Sequence, residues 1–311
     1  MALGMVPSKA RADPGTIALT FDDLPGLTLY DRASWVGKLN RRLLDGLLRN
    51  HLPATGFVNE GKLGQSNRRA RIADLRHWLD AGMTLGNHTF SHDSPNEIGA
   101  TAYVADIRKG GRITGALLVR RHQKLRWFRP PYLETGSPAP VRQKIDTWLE
   151  RHGYSLAPVT IDASDWEFAE PYEAAVAHHN FARAAEIREE YLAYSERTIQ
   201  WCQQASAALF GRQIAFVMLL HATRLNADAI DAFAAMLARR DLRAITLDAA
   251  LTDPAYRTPD TYTGPDGIDW LERWSNTLHK DLPWDSWQDP PGDIVHEYDR
   301  TNNDRSRSDH P

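Results

Sequence analysis

The sequence predicts an α/β protein built on a distorted (β/α)7 barrel, a TIM-like fold, with a helical insertion and an extra C-terminal segment. Seven short apolar runs, each of strand length, alternate with segments of helical periodicity. Polar clusters directly follow five of these runs. The 311 residues suffice for one large domain around a single barrel.

The N-terminal half alternates in this way from its first strand, Thr16–Leu19, which is a run of β-branched and aliphatic residues. A helix over Ala33–Asn50 is predicted next, because apolar residues recur at every fourth position and share one face. Apolar runs bounded by glycine and polar turns predict the next strands, which are Ala54–Asn59, Met83–Gly86 and Leu125–Phe128. Helical periodicity predicts helices over Ile72–Leu79 and over Glu97–His122, the second with a break at Gly110-Gly111.

The C-terminal half keeps the alternation. Its predicted elements are a helix over Val141–His152, a strand over Ser155–Ile161, a strand over Ile214–Leu220, a helix over Asp228–Arg240 and a strand over Leu242–Leu247. Residues 167–212 are rich in Ala, Glu, Arg and Gln and are predicted to form long helices inserted between the fifth and sixth strands.

These elements define the expected domain organisation. Residues 16–251, including the insertion 167–212, form the barrel domain. Residues 1–15 are predicted to be a flexible N-terminus or a signal remnant, and residues 252–311 an aromatic-rich extension that packs on the barrel and frays at its end. The aromatic residues of the extension have two interpretations, because they can pack on the barrel or stack on sugars.

Composition narrows the function and the location. A net charge of -3 argues against a nucleic-acid partner, and no apolar run approaches the roughly 20 residues that span a bilayer. The single cysteine, Cys202, is predicted to be inert packing in a helix. Ala10-Arg11-Ala12 has the small-x-small form of a signal cleavage site, which favours a periplasmic or secreted protein; a disordered end, with a cytoplasmic location, is the alternative. The sequence does not indicate the oligomeric state.

Five polar clusters stand at predicted strand ends, where parallel β/α folds build their sites. Two adjacent carboxylates at the end of a buried strand repel each other, and a cation, a shared proton or an arginine relieves that repulsion. A turn or helix cap is the alternative for this pair taken alone. Because all the clusters share one rim, we predict that they form one site. The clusters are Asp22/Asp23, His88/His92, Arg129, Asp162/Asp165 and His221.

His88 and His92 are four residues apart, so on a helical or tightly turned segment their imidazoles can face one point. With a carboxylate from a neighbouring strand end they form a set of two histidines and one aspartate. That set suits zinc with a position open for water or substrate. It also resembles the ligand set of non-haem iron oxygenases. The aspartate here precedes a pair of closely spaced histidines, which differs from the usual oxygenase order.

Five motifs together resemble those of the polysaccharide deacetylases of carbohydrate esterase family 4, which share the chitooligosaccharide deacetylase homology domain. They occur in family order across residues 16–250. The resemblance implies a distorted barrel of seven strands, a divalent metal, usually zinc with Co²⁺, Ni²⁺ or Mn²⁺ as alternatives, and removal of N- or O-acetyl groups. The motifs are Thr20-Phe21-Asp22-Asp23, His88-Thr89-Phe90-Ser91-His92, Arg129-Pro130-Pro131-Tyr132, Asp162-Ala163-Ser164-Asp165-Trp166 and Leu219-Leu220-His221.

The resemblance also implies roles for the residues that would activate water. Asp23, His88 and His92 would hold the metal. Asp22 would be the general base that takes a proton from the attacking water, and Arg129 would keep Asp22 ionised and aimed.

The remaining implied roles concern the substrate. His221 would protonate the leaving amine, with Asp165, in preference to Asp162, orienting it and raising its pKa. The backbone N–H of Tyr132 would stabilise the carbonyl oxygen. Trp166 and Leu219 would line the acetyl pocket together with Pro131 and Tyr132, and plain core packing is the alternative for Trp166 and Leu219.

The predicted function is therefore that of a metal-dependent deacetylase, an amidohydrolase acting on N-acetylated sugars of oligosaccharide or peptidoglycan type. The same machinery acting on a non-sugar amide or ester is one alternative. A non-catalytic carbohydrate-binding relative is another, which the complete residue set argues against. The insertion and the extension both leave the rim, so we expect them to narrow the site around a short or small acylated substrate.

Overall fold

The computed structural model describes residues 14–30, 32–64 and 67–301 of the 311-residue chain. The proposed cleavage site and most of the predicted signal remnant lie outside these ranges, as does most of the end predicted to fray. The described strands are β1 (Gly15–Leu24), β2 (Ala54–Val58), β3 (Thr84–Asn87), β4 (Trp127–Phe128), β5 (Ser155–Leu156), β6 (Ile161–Asp162), β7 (Phe216–His221) and β8 (Leu242–Ile245). The described helices are α1 (Ala33–Arg49), α2 (Arg68–Asp80), α3 (Pro95–Gly110), α4 (Arg112–Val119), α5 (Ala139–Arg151), α6 (Asp165–Ala177), α7 (Phe181–Phe210), α8 (Arg224–Arg239), α9 (Leu247–Ala250), α10 (Trp270–Leu278) and α11 (Gly292–Thr301).

The described strands form one parallel sheet that curls into a distorted barrel. The hydrogen-bonded order is β5-β4-β3-β2-β1-β7-β6, and β8 pairs with the beginning of β1. β5 and β6 stand at opposite ends of this order, yet only residues 157–160 connect them. Such a link reaches at most about 18 Å, whereas seven strands side by side would be about 29 Å wide. The sheet therefore bends until its two ends approach each other, which agrees with the predicted α/β barrel class.

The predicted fifth strand, Ser155–Ile161, is wrong as a continuous strand. Its first part pairs with β4 and its last part with β7. Backbone hydrogen bonds mark the change of partner, because Ala157 donates to Phe128 at 2.8 Å and Thr160 donates to Val217 at 2.9 Å. Pro158, which has no N–H to donate, lies between them. One kinked segment thus joins the two ends of the sheet.

The insertion begins earlier than predicted, because α6 starts at Asp165 instead of Glu167. Ser164 has a left-handed φ of 44° that ends the extended segment, and Asp165 and Glu167 lie in the first helical turn, where the helix dipole favours negative charge. Asp165 and Trp166 are therefore on a helix rather than in a loop. The predicted break at Gly110-Gly111 is confirmed, since α3 ends there and α4 begins at Arg112.

The core surrounds β1 and extends outward beneath the helices. Phe21 of β1 packs edge-on against Trp78 of α2, with 5.8 Å between ring centroids. Trp270 and Trp274 of α10 are buried against the same core, and Cys202 is buried on α7. In contrast, Trp284 of the extension is 50% exposed. Among the helices of the described ranges, none has the length and apolarity needed to cross a membrane.

Candidate active site

The carboxyl end of β1 delivers Asp22 and Asp23 to the rim of the barrel. Asp22 is the register partner of His221 on β7. At Asp23 a left-handed φ of 63° interrupts the extended backbone, and the pairing of β1 with β2 changes register nearby. Both carboxylates approach the same histidine pair, because Asp22 lies 3.8 Å from His88 Nε2 and Asp23 lies 3.6 Å from His92 Nε2.

The histidine pair lies on a tightly turned segment after β3, which is one of the two local structures predicted for it. Thr89 and His92 have φ angles of 63° and 62°. His88 Nδ1 lies 2.8 Å from the carbonyl oxygen of Arg129, so it carries the hydrogen and donates it. His92 Nδ1 lies 3.0 Å from the Tyr132 hydroxyl. These partners leave the Nε2 atoms of both rings for the site.

Asp23, His88 and His92 form a group that fits a divalent metal. One ligand atom from each lies within 4.8 Å of the others. Asp23 Oδ1 is buried and has no hydrogen-bond donor among the described residues, which a cation would relieve. Burial lowers the pKa of His92 to about 3, so its imidazole is neutral at pH 7, as metal ligation requires. Two imidazoles and one carboxylate are a donor set typical of zinc.

Lys62 is a member of the site that the sequence did not reveal. It lies in a 3-10 turn after β2, with Nζ 3.0 Å from Asp23 Oδ2. Burial raises the pKa of Asp23, but the positive charge of Lys62 and the nearby imidazoles hold it well below its usual range. The lysine thus engages one oxygen of the carboxylate, while the other oxygen faces His92.

Arg129 is hydrogen-bonded to Asp22, the residue with which the family resemblance pairs it. Arg129 is fully buried and donates to Asp22 Oδ1 at 3.0 Å and to Thr20 Oγ1 at 2.7 Å. Its guanidinium also donates to the Ala157 carbonyl and lies 4.4 Å from the centre of the Phe57 ring. A buried cation fixed on several sides gives Asp22 a charged partner and a defined direction.

His221 is paired with Asp165. Its Nδ1 lies 2.8 Å from Asp165 Oδ1, and its backbone N–H donates to Asp165 Oδ2 at 2.7 Å. Asp162 instead accepts a hydrogen bond from the Ser164 backbone at 3.0 Å. Burial lowers the pKa of His221, but the charge and the hydrogen bond of Asp165 outweigh it and raise this pKa to about 9. His221 is therefore an imidazolium at neutral pH.

Asn226, another residue missed from the sequence, supports this pair. Its side-chain amide donates to Asp165 Oδ2 at 2.5 Å and to the His221 carbonyl at 2.8 Å. Tyr191 of the inserted helix α7 donates to Asn226 Oδ1 at 2.7 Å. The polar network around His221 thus reaches from β7 through α8 into the insertion.

The predicted pocket residues occupy different surroundings. Leu219 is buried in a small apolar cluster with Leu133 and Val159. Pro131 is buried, whereas Tyr132 beside it is 38% exposed and bonds His92 through its hydroxyl. Trp166 packs edge-on against Tyr298 of α11, with 5.0 Å between ring centroids. The structure therefore brings Tyr132 to the histidine pair and ties Trp166 to the C-terminal extension.

The sequence of this chain is similar to polysaccharide deacetylases. Residues 9–157 match the family model described as polysaccharide deacetylase. The chain is 27% identical over 172 residues to a chitin deacetylase of Arthroderma benhamiae, which covers 55% of this chain and 41% of the relative. It is 26% identical over 152 residues to a peptidoglycan-N-acetylglucosamine deacetylase of Bacillus cereus, which covers 49% and 46%. The matches thus span less than half the length of either relative.

Comparison with solved structures agrees on the fold. The family 4 carbohydrate esterase from Streptomyces lividans, solved with acetate, has a TM-score of 0.51 and 20% identity, covering 77% of this chain and 97% of the esterase. A family 4 pseudoenzyme from Bacillus anthracis has a TM-score of 0.54 and 17% identity, covering 78% and 66%. At these identities the matches establish a shared fold alone.

Proposed function

We propose that this chain is a polysaccharide deacetylase of the family 4 carbohydrate esterase type, a hydrolase that removes acetyl groups from N-acetylated sugars. The match of residues 9–157 to the polysaccharide deacetylase model and the two deacetylase relatives support this proposal. One observation carries the proposal. A carboxylate held by Arg129 and an imidazolium held by Asp165 stand on paired strands, next to a group that suits a divalent metal. Amide hydrolysis needs both a base for water and an acid for the amine.

Asp23, His88 and His92 would hold the metal, for which zinc suits the donor set best and Co²⁺, Ni²⁺ and Mn²⁺ are alternatives. The ion would supply a Lewis acid that makes water more acidic and polarises a carbonyl. The rest of the chemistry belongs to the side chains of the chain itself.

Asp22 acts as the general base in this proposal, and Arg129 holds its carboxylate in position through a hydrogen bond from a charged donor. As water attacks the acetyl carbon, Asp22 accepts its proton, and the carbonyl oxygen becomes negative. The backbone N–H of Tyr132 stabilises that charge. His221 then donates its proton to the sugar nitrogen while the C–N bond breaks, which releases acetate and a free amine.

The proposed substrate is an acetylated sugar of the chitin or peptidoglycan type. The names of the curated relatives support this class. The apolar cluster of Leu133, Val159 and Leu219 supports an acetyl group, whose methyl needs an apolar wall. A raised pKa at His221 supports an amide, since an amine leaves with difficulty unless it is protonated.

The test is acetate release by the full chain, first stripped of metal and then reloaded with zinc. Substrates are N-acetylglucosamine oligomers, an activated acetyl ester and a non-sugar N-acetyl amide. We expect acetate from the oligomers only when metal is present. Hydrolysis of the non-sugar amide alone would show that the substrate is a non-sugar amide and not an acetylated sugar. Zinc binding without hydrolysis of any substrate would instead indicate a binding relative.

A further inference from the structure

The turn that carries Tyr132 has an unfavourable backbone conformation. Tyr132 and Leu133, neither of them glycine, have φ angles of 57° and 56°. Residues with a Cβ rarely adopt this left-handed backbone conformation. Two successive residues keep it only when contacts with the surrounding structure stabilise it. The same turn contributes two groups to the proposed site. The Tyr132 hydroxyl contacts His92, and the Tyr132 N–H is the proposed donor to the carbonyl oxygen of the substrate.

A buried arginine of the C-terminal extension holds the turn from outside. Arg273, on α10, is fully buried and donates to the Leu133 carbonyl at 2.9 Å and to Thr135 Oγ1 at 3.1 Å. Its Nε donates to the Ile268 carbonyl at 2.9 Å, and Asp260 lies 3.2 Å from Nη1. The rigid fork of the guanidinium therefore joins the turn on one side to the extension on the other.

The backbone of the extension lies directly against the same turn. A Cβ added at Gly267 would stand 1.6 Å from the carbonyl oxygen of Tyr132, so only glycine permits this approach. Two further hydrogen bonds involve the residues just before Gly267, since Asn96 donates to the Pro265 carbonyl at 2.8 Å and Ser137 donates to the Thr263 carbonyl at 3.0 Å. The segment 260–273 is thus a strap over residues 131–137.

We propose that Arg273 is a positioning residue for the deacetylation site, which clamps the Tyr132 turn in its left-handed conformation. The inference rests on the proposed function. Arg273 lies on α10 in the C-terminal extension, outside residues 9–157, which match the family model. Release of the clamp would let the turn relax and would move both the N–H and the hydroxyl of Tyr132.

The experiment compares Arg273→Lys with Arg142→Lys in the full zinc-loaded chain. Lysine keeps the charge of Arg273 but loses the planar fork. Arg142 is the matched control, because it also bonds Asp260, at 2.9 Å, and the Tyr262 carbonyl, while its hydrogen bonds in the described residues do not reach the turn. A displacement of the turn by about 1 Å lowers kcat roughly 100-fold. We expect a loss of about that order for Arg273→Lys only, with KM little changed.

The choice of substrates separates a displaced Tyr132 turn from a disturbed acid, because loss of the acid would spare an activated ester. Negative charge develops on the carbonyl oxygen of amides and esters alike, so kcat for an N-acetyl sugar and for an activated acetyl ester should fall equally. Gly267→Ala, with Gly292→Ala as its control, is the second probe, since a Cβ at Gly292 meets nothing within 4 Å. Gly267→Ala should reproduce the loss even where Arg273→Lys fails to fold.

Two results overturn the inference. One is a folded Arg273→Lys protein with kcat within twofold of the parent. The other is an equal loss in Arg142→Lys, which would assign the effect to the extension as a whole. A parent chain that binds zinc and hydrolyses no acetyl substrate refutes the proposed function and this inference together, whereas an active parent with unaffected variants refutes this inference alone.

Discussion

Asp22 and Asp23 are neighbours in the sequence but have different partners in the fold. Arg129 and His88 lie next to Asp22, whereas Lys62 and His92 lie next to Asp23. The left-handed φ at Asp23 lets both side chains reach the rim although they are consecutive on a strand. Their environments therefore favour two roles, a base and a ligand, for two chemically identical groups.

We predict that Asp22→Asn keeps the metal and loses activity. The amide preserves the shape of the side chain but cannot accept a proton, so kcat should fall by roughly two to four orders of magnitude. The control is His88→Ala, which removes one of the three proposed ligands and should lose metal in elemental analysis. Near-normal turnover by a metal-loaded Asp22→Asn protein would contradict the role of base.

A second prediction concerns the pH dependence of kcat. Asp165 raises the pKa of His221 to about 9, and an acid works only below its pKa, so activity on amides should fall as the pH rises through about 9. In Asp165→Asn the charge is lost, the pKa moves toward its ordinary value of about 6.5, and this decline should begin at lower pH. Asp162→Asn is the control, because Asp162 bonds the Ser164 backbone.

This prediction is measured as kcat between pH 6 and pH 10, on an N-acetyl sugar and on an activated ester. The leaving group of an activated ester departs without being protonated, so kcat on the ester should not decline as the pH rises through about 9. Identical profiles for the parent and Asp165→Asn, or a larger shift in Asp162→Asn than in Asp165→Asn, would refute the assignment of Asp165.

Single residues were predictable where they belong to a short motif at a strand end. Asp22, Asp23 and the paired histidines were found because closely spaced titratable groups following apolar runs form a recognisable pattern. Lys62 and Arg273 carry no such signal. Each contacts the site from a turn or helix that is distant in the sequence from the motifs. An isolated basic residue in a polar segment is normally predicted to be solvent-exposed.

At the level of elements, the alternation of strands and helices was predictable, whereas the place where one segment changes partners was not. Ser155–Ile161 is predicted as one strand, because apolar residues occur in both of its halves and no charged residue or glycine interrupts them. Only the tertiary pairing with β4 and β7 divides it. The start of α6 was missed for a related reason, since the left-handed Ser164 that precedes it is set by its surroundings.

We predict that the inserted helix α7 supports the acid through Tyr191. In Tyr191→Phe the buried Asn226 Oδ1 loses its donor, which should cost about 1–3 kcal/mol in the free energy of unfolding. The variant should also lower kcat on amides, because Asn226 orients Asp165. Tyr172→Phe is the matched control, since that hydroxyl bonds Asp228, a partner that makes no hydrogen bond to His221 or Asp165.

Urea unfolding and kcat are measured for both tyrosine variants. A loss of unfolding free energy in both, with a loss of kcat only in Tyr191→Phe, is the expected pattern. Unchanged kcat in Tyr191→Phe would show that the insertion stabilises the fold without supporting the acid.

At the level of the whole molecule, the curled sheet explains why motifs spread over two hundred residues meet. All parallel strands deliver their carboxyl ends to one rim, so β1, β3, β4 and β7 bring together the residues proposed as metal ligands, base and acid. The sequence predicted this because it depends on alternation alone. It could not predict how the insertion and the extension pack at the rim, which depends on contacts between distant segments.

The last prediction is that short acetylated oligosaccharides are better substrates than extended polymers. Two additions to the barrel stand at the rim. α6 begins at Asp165, directly behind His221, and its Trp166 packs against Tyr298 of α11. On another side, the strap 260–273 covers the turn beside Tyr132. Elements that build up the rim favour a pocket over an open groove, and a pocket limits how many sugars of a long chain can pass.

The measurement is acetate release per enzyme for N-acetylglucosamine, for its oligomers from two to six units, and for polymers. A soluble acetylated polymer is needed beside insoluble chitin and peptidoglycan, so that chain length is separated from access to a solid surface. We expect kcat/KM to rise over the first few sugars and then to level off or decline, because a pocket offers only a few contacts to sugars. Rates that keep rising with length and are highest for the soluble polymer would show that an open groove runs across the rim despite both additions.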